Sequence, residues 1–455
     1  MSEYFPHIAL LPSAGMGHLT PFLRLAAMLV NNHCKVTLIT PTPTVSLAES
    51  KFISRFLSAV PQVNHTEFHL MPFDASAANS TDPFFLQFEA IRRSAHLLPS
   101  LLDFISPPLS ALVYDVSLIS PVLAAIESMF LPRYILFTPS AKMFSIFSYF
   151  PTAVASKQIT GDGEIEIPGI IPRIPGSSIP PLLFDLNSLF AKIFMEDSPK
   201  LKRLDGVLLN TFEDLEGKTL EAINEGNVVK GLPHAFAIGP LIPLQFEKGD
   251  QSQSALNWLD DQREGSVVYV CFGSRNAMKR DQIREIGKGL MRSGCKFLWV
   301  VKDKLVDRDE NDSLDEVLGY KLAESMKEKG LVVKTWVCQV EILGHKGVGG
   351  FLSHCGWNSV TEAAWQGVPI LAWPLAGDQK VNAELVEKSG WGMWMRNWGW
   401  LGEKLVDEEE IGKAIKDMMG SRMLKVNAVK IREAARNSNA INLEKLIQDW
   451  KKHNG

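Results

Sequence analysis

The sequence predicts two doubly wound, Rossmann-like α/β domains that face one another across a cleft. Its 455 residues exceed the roughly 100–200 residues of one ordinary domain. Two separate series of apolar, strand-like runs alternate with helical stretches, which is the pattern of a parallel sheet covered on both faces. We expect an N-terminal domain at 1–238, a linker at 239–254, a C-terminal domain at 255–432, and a C-terminal helix at 433–455 that packs back on the N-terminal domain.

The first series begins with an apolar strand at 7–11 and a turn at 13–18. Thr20 then offers a helix N-cap, and Pro21 suits the first helical position. The later strands of this series are predicted at 35–40, 109–114 and 133–137.

The second series begins after the linker, where the polar and Pro-containing stretch ends. It predicts strands at 266–272, 296–301, 331–335, 348–353 and 368–373. Helices are predicted at 280–292, at 407–419 and at 423–450, the last with a break near Asn437.

Composition excludes several classes of protein. A net charge of −4 gives no reason to expect nucleic acid or an anionic membrane as a partner. The five cysteines are irregularly spaced without a CxxC pair, which favours a reducing compartment. Polar residues and prolines interrupt the apolar N-terminus, so we expect no signal peptide. They also interrupt the most apolar later stretch, 130–149, so we expect no membrane span. The expectation is a cytoplasmic monomer.

His18 and Asp115 are the candidate catalytic residues of the first series. Both follow predicted strands, and open α/β sheets bind ligands beyond the carboxyl ends of their strands. A helix N-terminus disfavours imidazolium, so His18 would stay neutral and able to accept a proton. A carboxylate beside it would hold its tautomer. The alternative is a loop histidine and a strand-end aspartate with unrelated roles.

A glycine pattern near His18 raises a different enzyme class. Gly15 and Gly17 begin like a dinucleotide-binding fingerprint, but position 18 is histidine and position 20 is threonine, so the third glycine is missing. A NAD-dependent dehydrogenase is therefore only an alternative, kept because doubly wound sheets serve both kinds of chemistry.

A candidate anion site follows the strand at 348–353. His354, Gly356, Asn358 and Ser359 precede or open a helix, whose first backbone N–H groups suit a diphosphate. Ser274, at the end of another predicted strand, could add a contact. An ordinary capped helix is the alternative, since Asn and Ser are common caps.

Residues 336–379, WVCQVEILGHKGVGGFLSHCGWNSVTEAAWQGVPILAWPLAGDQ, closely resemble the signature box of plant secondary-product (family 1) UDP-glycosyltransferases. GMGHLTP at 15–21 is similar to the catalytic-histidine loop of that family, and the resemblance covers essentially the whole chain. It implies the GT-B fold and an inverting transfer from UDP-glucose as donor co-substrate, mainly bound by the C-terminal half. No metal or other cofactor is implied.

The resemblance also implies a role for each donor-binding residue. Uracil would contact Trp336, Val337 and Gln339, and the ribose hydroxyls would contact Glu362. The residues implied for the diphosphate are Ser274, His354, Gly356, Asn358 and Ser359. The residues implied for the sugar are Trp357, Asp378, Gln379 and, from the N-terminal half, Thr138.

Three further segments resemble the C-glucosyltransferase group of this family: EAIRRSAHLL at 89–98, SSIPP at 177–181 and CFGSRNAM at 271–278. That group joins glucose to a ring carbon of polyhydroxylated aryl ketones, such as 2-hydroxyflavanones and dihydrochalcones of the phloretin type. Asn276 departs from the expected threonine, and the segment near Asn437 is shorter than usual. A flavonoid O-glucosyltransferase and a nonenzymatic flavonoid- or nucleotide-binding protein stay open as alternatives.

A phenolic small-molecule acceptor needs an apolar slot. The candidate acceptor contacts are Phe84, Phe88, Arg93, Phe144, Phe184 and Phe190. Core packing is the alternative for each phenylalanine, and a solvated helix face is the alternative for the arginine.

Overall fold

The computed structural model describes residues 5–72, 74, 82–247, 252–273, 277–302, 312–335, 337–400, 402–438 and 441–452. The chain divides into two compact units. The N-terminal unit contains Met1–Ile242 and Ser438–Gly455, and the C-terminal unit contains Pro243–Asn437. Each unit is built on one parallel sheet with helices between its strands, so the predicted α/β class with two doubly wound sheets is confirmed.

The described part of the N-terminal unit contains nine strands. They are β1 (His7–Leu11), β2 (Lys35–Thr42), β3 (Val63–His69), β4 (Ala111–Asp115), β5 (Arg133–Phe137), β6 (Glu164–Ile165), β7 (Ile174–Pro175), β8 (Gly206–Leu209) and β9 (Ala235–Ala237). Seven form a parallel sheet in the order β3-β2-β1-β4-β5-β8-β9, and β6 pairs with β7 in an antiparallel ribbon. Every residue of β1 and β4 is buried, as expected for central strands covered on both faces.

Helices cover the sheet of this unit, and four of the eight named below are capped by short polar side chains. They are α1 (Met16–Asn31), α2 (Leu47–Ala59), α3 (Pro83–Ser94), α4 (Leu98–Asp103), α5 (Ile119–Ala125), α6 (Ala141–Ala155), α7 (Leu189–Asp197) and α8 (Glu213–Asn224). The N-cap side chains that accept a backbone N–H bond are those of Ser46, Asp82, Ser140 and Ser188.

Helix α1 begins five residues earlier than the sequence predicts. Gly15 is its N-cap with a φ of 98°, a conformation that only glycine adopts without steric cost. The backbone amides of His18 and Leu19 both donate to the Gly15 carbonyl oxygen at 2.9 Å. Thr20 is therefore not the N-cap and Pro21 lies inside the helix. His18 consequently lies in the first helical turn.

The C-terminal unit contains a six-stranded parallel sheet. Its strands are β10 (Val267–Cys271), β11 (Lys296–Val300), β12 (Gly330–Val333), β13 (Val348–Ser353), β14 (Ile370–Ala372) and β15 (Gly392–Trp394). Their order is β12-β11-β10-β13-β14-β15. Its helices are α9 (Gln253–Asp260), α10 (Arg280–Ser293), α11 (Leu314–Leu318), α12 (Tyr320–Met326), α13 (Gln339–Gly344), α14 (Trp357–Gln366), α15 (Gln379–Lys388), α16 (Glu408–Gly420) and α17 (Arg422–Asn437).

Each sheet reverses its strand order at one point. In the N-terminal unit the reversal lies between β1 and β4, and in the C-terminal unit it lies between β10 and β13. The connections leave such a pair of strands towards opposite sides, which opens a crevice at their carboxyl ends. The topology thus predicts where each unit binds its ligand.

The last helix, α18 (Ile441–Lys452), belongs to the N-terminal unit. Trp450 is fully buried, with its ring edge-to-face on Tyr134 at 5.6 Å between centroids. The Asn442 side chain donates to the carbonyl oxygen of Ala237 at 3.2 Å. The division between units lies after 242, inside the predicted linker, and after 437 rather than 432, because α17 continues to Asn437.

Among the described residues, no helix has both the length and the apolar character that crossing a membrane would need.

We expect the substitution Trp450→Ala to destabilise the N-terminal unit by about 3–5 kcal/mol, the usual cost of removing a buried tryptophan side chain. Urea-induced unfolding followed by circular dichroism measures the change. Leu47→Ala is the matched control, because Leu47 is 72% exposed and its truncation should stay within about 0.5 kcal/mol of wild type. Identical unfolding midpoints for Trp450→Ala and wild type would contradict the docking of α18.

Candidate active site

The structure brings His18 and Asp115 together at the reversal point of the N-terminal sheet. His18 follows β1 and Asp115 ends β4, and these two strands are paired in the sheet. The His18 Nδ1 atom lies 2.7 Å from Asp115 Oδ2. The other carboxylate oxygen, Oδ1, accepts bonds from the backbone N–H of Ser117 at 2.9 Å and from its hydroxyl at 2.7 Å.

The electrostatics of this pair favour a charged carboxylate. Burial opposes the ionisation of Asp115, but the facing His18 ring and the hydrogen bonds from Ser117 hold the pKa of Asp115 below its usual range. The ionised carboxylate can only accept, so Nδ1 of His18 carries the proton that they share. In the neutral ring, Nε2 is then the nitrogen that can accept a proton from a ligand.

Aromatic side chains of α3 pack beside this base. The Phe88 ring meets the His18 ring edge-on at 5.6 Å, and both Phe84 and Phe88 are buried. Thr138 Oγ1, after β5, is 3.5 Å from His18 Nδ1. The His18 side chain keeps 28% of its surface exposed, so the base is accessible beside an apolar wall.

The contacts of the other four acceptor candidates point to packing or to a helix surface. Phe144 is fully buried and meets Phe137 edge-on, Phe190 packs on Phe194 at 4.9 Å, and Phe184 is 37% exposed. The guanidinium of Arg93 pairs with Glu89 at 2.8 Å along α3. An acceptor role for these four stays a prediction.

In the C-terminal unit, α14 starts directly beyond β13 at the reversal point of its sheet. Gly356 is the N-cap, and no described side chain caps the helix through a hydrogen bond. Asn358 and Ser359 are therefore first-turn residues and not N-caps, as an ordinary capped helix would require. The positive end of the helix dipole lies at this start, which suits an anion.

The side chains next to this helix start form a connected polar set. Gln339 Nε2, at the start of α13, donates to Ser359 Oγ at 2.9 Å and to Glu362 Oε2 at 2.8 Å. Glu362 is buried, as is Val337 just before α13. These contacts bring together residues expected to bind uracil, ribose and diphosphate. Trp336 and Ser274, two further predicted donor contacts, lie outside the described residues.

His354 is held in a tight pocket between β10 and α14. Burial lowers its pKa to about 4, and the nearby backbone carbonyl of Cys271 partly opposes this lowering. Nδ1 is buried and has no hydrogen-bond partner in the described part of the chain. A Cβ at either Gly273 or Gly356 would lie 2.6 Å from Nε2, too close for any residue but glycine.

The predicted sugar contacts lie at the start of α15. Asp378 is the N-cap residue, and its Oδ2 accepts from Asn382 Nδ2 at 2.8 Å. The same Asn382 amide group donates to the carbonyl oxygen of Cys355 at 3.0 Å. Gln379 Oε1 accepts from the backbone N–H of Leu375 at 2.7 Å, which orients the Gln379 amide. Trp357, in the first turn of α14, is buried.

Two residues of these sites were not identified from the sequence. Ser117 binds the Asp115 carboxylate, and its position two residues after Asp115 is the usual signature of an Asx turn. Asn382 connects the loop before α14 with Asp378. Its position four residues after Asp378 in the sequence does not reveal that its side chain also contacts this loop.

Within the described ranges, no group of three or more histidine, cysteine, aspartate or glutamate side chains has an arrangement that could hold a metal ion.

Comparisons with known proteins agree with this geometry. Residues 244–440 match the family described as UDP-glucoronosyl and UDP-glucosyl transferase. UDP-glycosyltransferase 708G2 of Citrus unshiu is 55% identical over 463 residues, which cover 99% of this chain and 97% of that protein.

Solved structures extend the similarity to the fold. LpCGTa in complex with UDP has a TM-score of 0.87 and 44% identity, covering 98% of this chain and 99% of that one. UGT71G1 of Medicago truncatula, complexed with UDP-glucose, has a TM-score of 0.84 and 28% identity, covering 98% of each chain. The predicted GT-B fold is thereby confirmed. The chain belongs to the plant family 1 UDP-glycosyltransferases and is a glycosyltransferase.

Proposed function

We propose that this glycosyltransferase moves glucose from UDP-glucose to a ring carbon of a polyhydroxylated aryl ketone, such as a 2-hydroxyflavanone or a phloretin-type dihydrochalcone. The contact of 2.7 Å between His18 and Asp115 carries the proposal, because it supplies a neutral base with a fixed tautomer. UDP-glucose as donor is supported by its presence in the Medicago relative. Carbon as the acceptor atom is supported by three segments that resemble C-glucosyltransferases and by the similarity to LpCGTa.

The first step that we propose is deprotonation of an acceptor hydroxyl. His18 Nε2 takes the proton, and the Asp115 carboxylate stabilises the imidazolium that forms. The resulting phenolate is nucleophilic at its oxygen and, through the ring, at the ortho carbon. Several meta-related hydroxyls and a ketone concentrate negative charge on that carbon. The buried rings of Phe84 and Phe88 offer the acceptor an apolar surface beside the base.

The second step is displacement of UDP. Attack requires the reacting atoms at about 3–3.5 Å and in line, and attack from the face opposite the leaving group converts an α-linked sugar into a β product. The attacked ring carbon then carries both the sugar and its original hydrogen; that proton moves to the ring oxygen, which restores the aromatic phenol, and His18 releases its proton to solvent. We propose that the diphosphate leaves into the start of α14, where first-turn amides and the side chains of His354, Asn358 and Ser359 meet its growing charge. Glu362 and Gln339 would hold the nucleoside, and Asp378 and Gln379 the glucose.

We also infer that the enzyme works in the cytoplasm. All five cysteines are free thiols, which suits a reducing compartment. A monomeric state stays a proposal from the sequence.

Replacement of His18 by alanine should lower the turnover number by about 10²–10⁴-fold, the usual contribution of a general base. Affinity for UDP, measured by calorimetry, should change little, because His18 belongs to the N-terminal unit. His69→Ala is the matched control, since His69 is 76% exposed on β3. Near-wild-type turnover of His18→Ala would overturn the proposed role.

Binding of UDP-glucose should take up a proton at His354. Burial keeps the free His354 ring neutral, so a phosphate beside it would favour uptake of a proton by the ring. A bound diphosphate raises the pKa of His354 above its free value of about 4. Affinity should therefore fall as pH rises through the higher pKa of the complex, by about tenfold per pH unit at most.

Calorimetry at pH ~6 in two buffers of different ionisation enthalpy measures this uptake, because the buffer supplies the proton and adds its own heat to the heat of binding. The number of protons taken up increases with the pKa of His354 in the complex. The diphosphate diester of UDP-glucose does not itself titrate there. His354→Gln should abolish the buffer dependence, whereas His345→Gln, at a histidine paired with Asp260, should retain it. Equal heats for the wild type in both buffers would refute the contact.

The product formed from phloretin should resist both β-glucosidase and hot acid, because a carbon–carbon bond lacks the acetal that these agents cleave. Product NMR should show the anomeric carbon bonded to a ring carbon. Clean release of glucose would identify an O-glucosyltransferase instead and would leave the UDP-glucose-dependent transfer intact.

A further inference from the structure

Arg92 joins three segments around the proposed catalytic pair. It lies in α3, and its side chain is only 13% exposed. Nη1 donates to the backbone carbonyl of Ser117, just after β4, at 2.8 Å, and to Asp197 Oδ2, at the end of α7, at 3.1 Å. A planar guanidinium can serve both acceptors from one fixed position.

Asp197 anchors this arginine. Its side chain is fully buried, and its Oδ1 accepts from both the backbone N–H and the hydroxyl of Ser120. Lys200 Nζ donates to the same Ser120 hydroxyl at 2.6 Å. Burial raises the pKa of Asp197, and the Arg92 charge opposes that rise. The segment after β4 thus binds one oxygen of this carboxylate, and α3 binds the other.

The network reaches the catalytic pair by two routes. Ser117 donates two hydrogen bonds to Asp115, while Arg92 holds the carbonyl oxygen of the same serine. Phe88 lies four residues before Arg92 on α3, and its ring meets His18. Residues four apart lie on one helix face. Arg92 therefore restrains the donor to the carboxylate and also the helix that packs on the imidazole.

We infer that Arg92, anchored by Asp197, is a positioning residue that keeps Asp115 directed at His18 Nδ1 during transfer. This inference rests on the proposed roles of His18 and Asp115. The adjacent Arg93 has a different environment: it is 48% exposed and pairs with Glu89 along the helix. Of the two arginines in EAIRRSAHLL, the first therefore acts on the catalytic pair.

The first test is the steady-state kinetics of Arg92→Met and Arg92→Lys. We expect Arg92→Met to lower kcat by about 10–100-fold, the cost of a displacement on the order of 1 Å in a catalytic group. KM for UDP-glucose should stay unchanged, and Arg92→Lys should recover part of the loss. The matched control is Arg203→Met, because Arg203 pairs with Glu127 at 2.8 Å but is 45% exposed. Wild-type kcat in Arg92→Met would overturn the inference.

A second variant separates positioning from folding. Arg92→Met alone leaves the buried Asp197 carboxylate without its cation, which could unfold the protein. The double variant Arg92→Met/Asp197→Leu replaces the ion pair by apolar side chains, which proteins often tolerate. Its thermal unfolding should approach that of the wild type while kcat stays low. Full recovery of kcat together with stability would show a purely structural role.

A third test uses the background Asp115→Asn, with single-turnover rates measured at high enzyme concentration. If Arg92 acts through Asp115, adding Arg92→Met to this background should cost less than about twofold, because residues that act as a unit are not additive. The same loss in both backgrounds would overturn the inference. Wild-type turnover of His18→Ala would instead refute the proposed base, so the two failures are distinguishable.

Discussion

The N-terminal site depends on one constraint: an ionised carboxylate lies in the interior, where an uncompensated charge is strongly unfavourable. Asp115 is fully buried at the end of β4. Its two oxygens are satisfied by the His18 ring and by Ser117, and Ser117 is held in turn by Arg92. The requirement to compensate this charge therefore aligns β1, β4 and α3 and leaves the imidazole as the polar group open to a ligand.

The C-terminal site has the opposite electrostatic character, because the positive end of the α14 dipole lies there. Its buried carboxylate, that of Glu362, lies one turn into α14 and bonds Gln339, while a helix start without a side-chain cap lies at the reversal point of the sheet. The neutral His354 ring fills the space that Gly273 and Gly356 leave open. A diphosphate at this site, as proposed, would compensate the partial positive charge of the helix start.

The two units thus use the same sheet topology for different chemistry. In each, the strand order reverses beside the first strand of the sheet, and the residues after the two central strands form the site. One unit places a base there and the other places a helix start. The difference lies in the few residues after each strand, so one architecture can supply both the proposed proton acceptor and the proposed anion-binding groups.

The sequence by itself determined the α/β class, the two sheets and most strands to within about two residues, because these follow from local apolar runs. It placed His18 and Asp115 after strands, at the edge where such sheets bind ligands, but left their pairing open. It misplaced the start of α1, since the backbone conformation of Gly15 decides it. Only the tertiary structure decided that Arg92 rather than Arg93 turns inward and that Phe144 lies in the core. Contacts such as Arg92 with Asp197 join residues about a hundred positions apart, and no local pattern encodes which side chains meet across that separation.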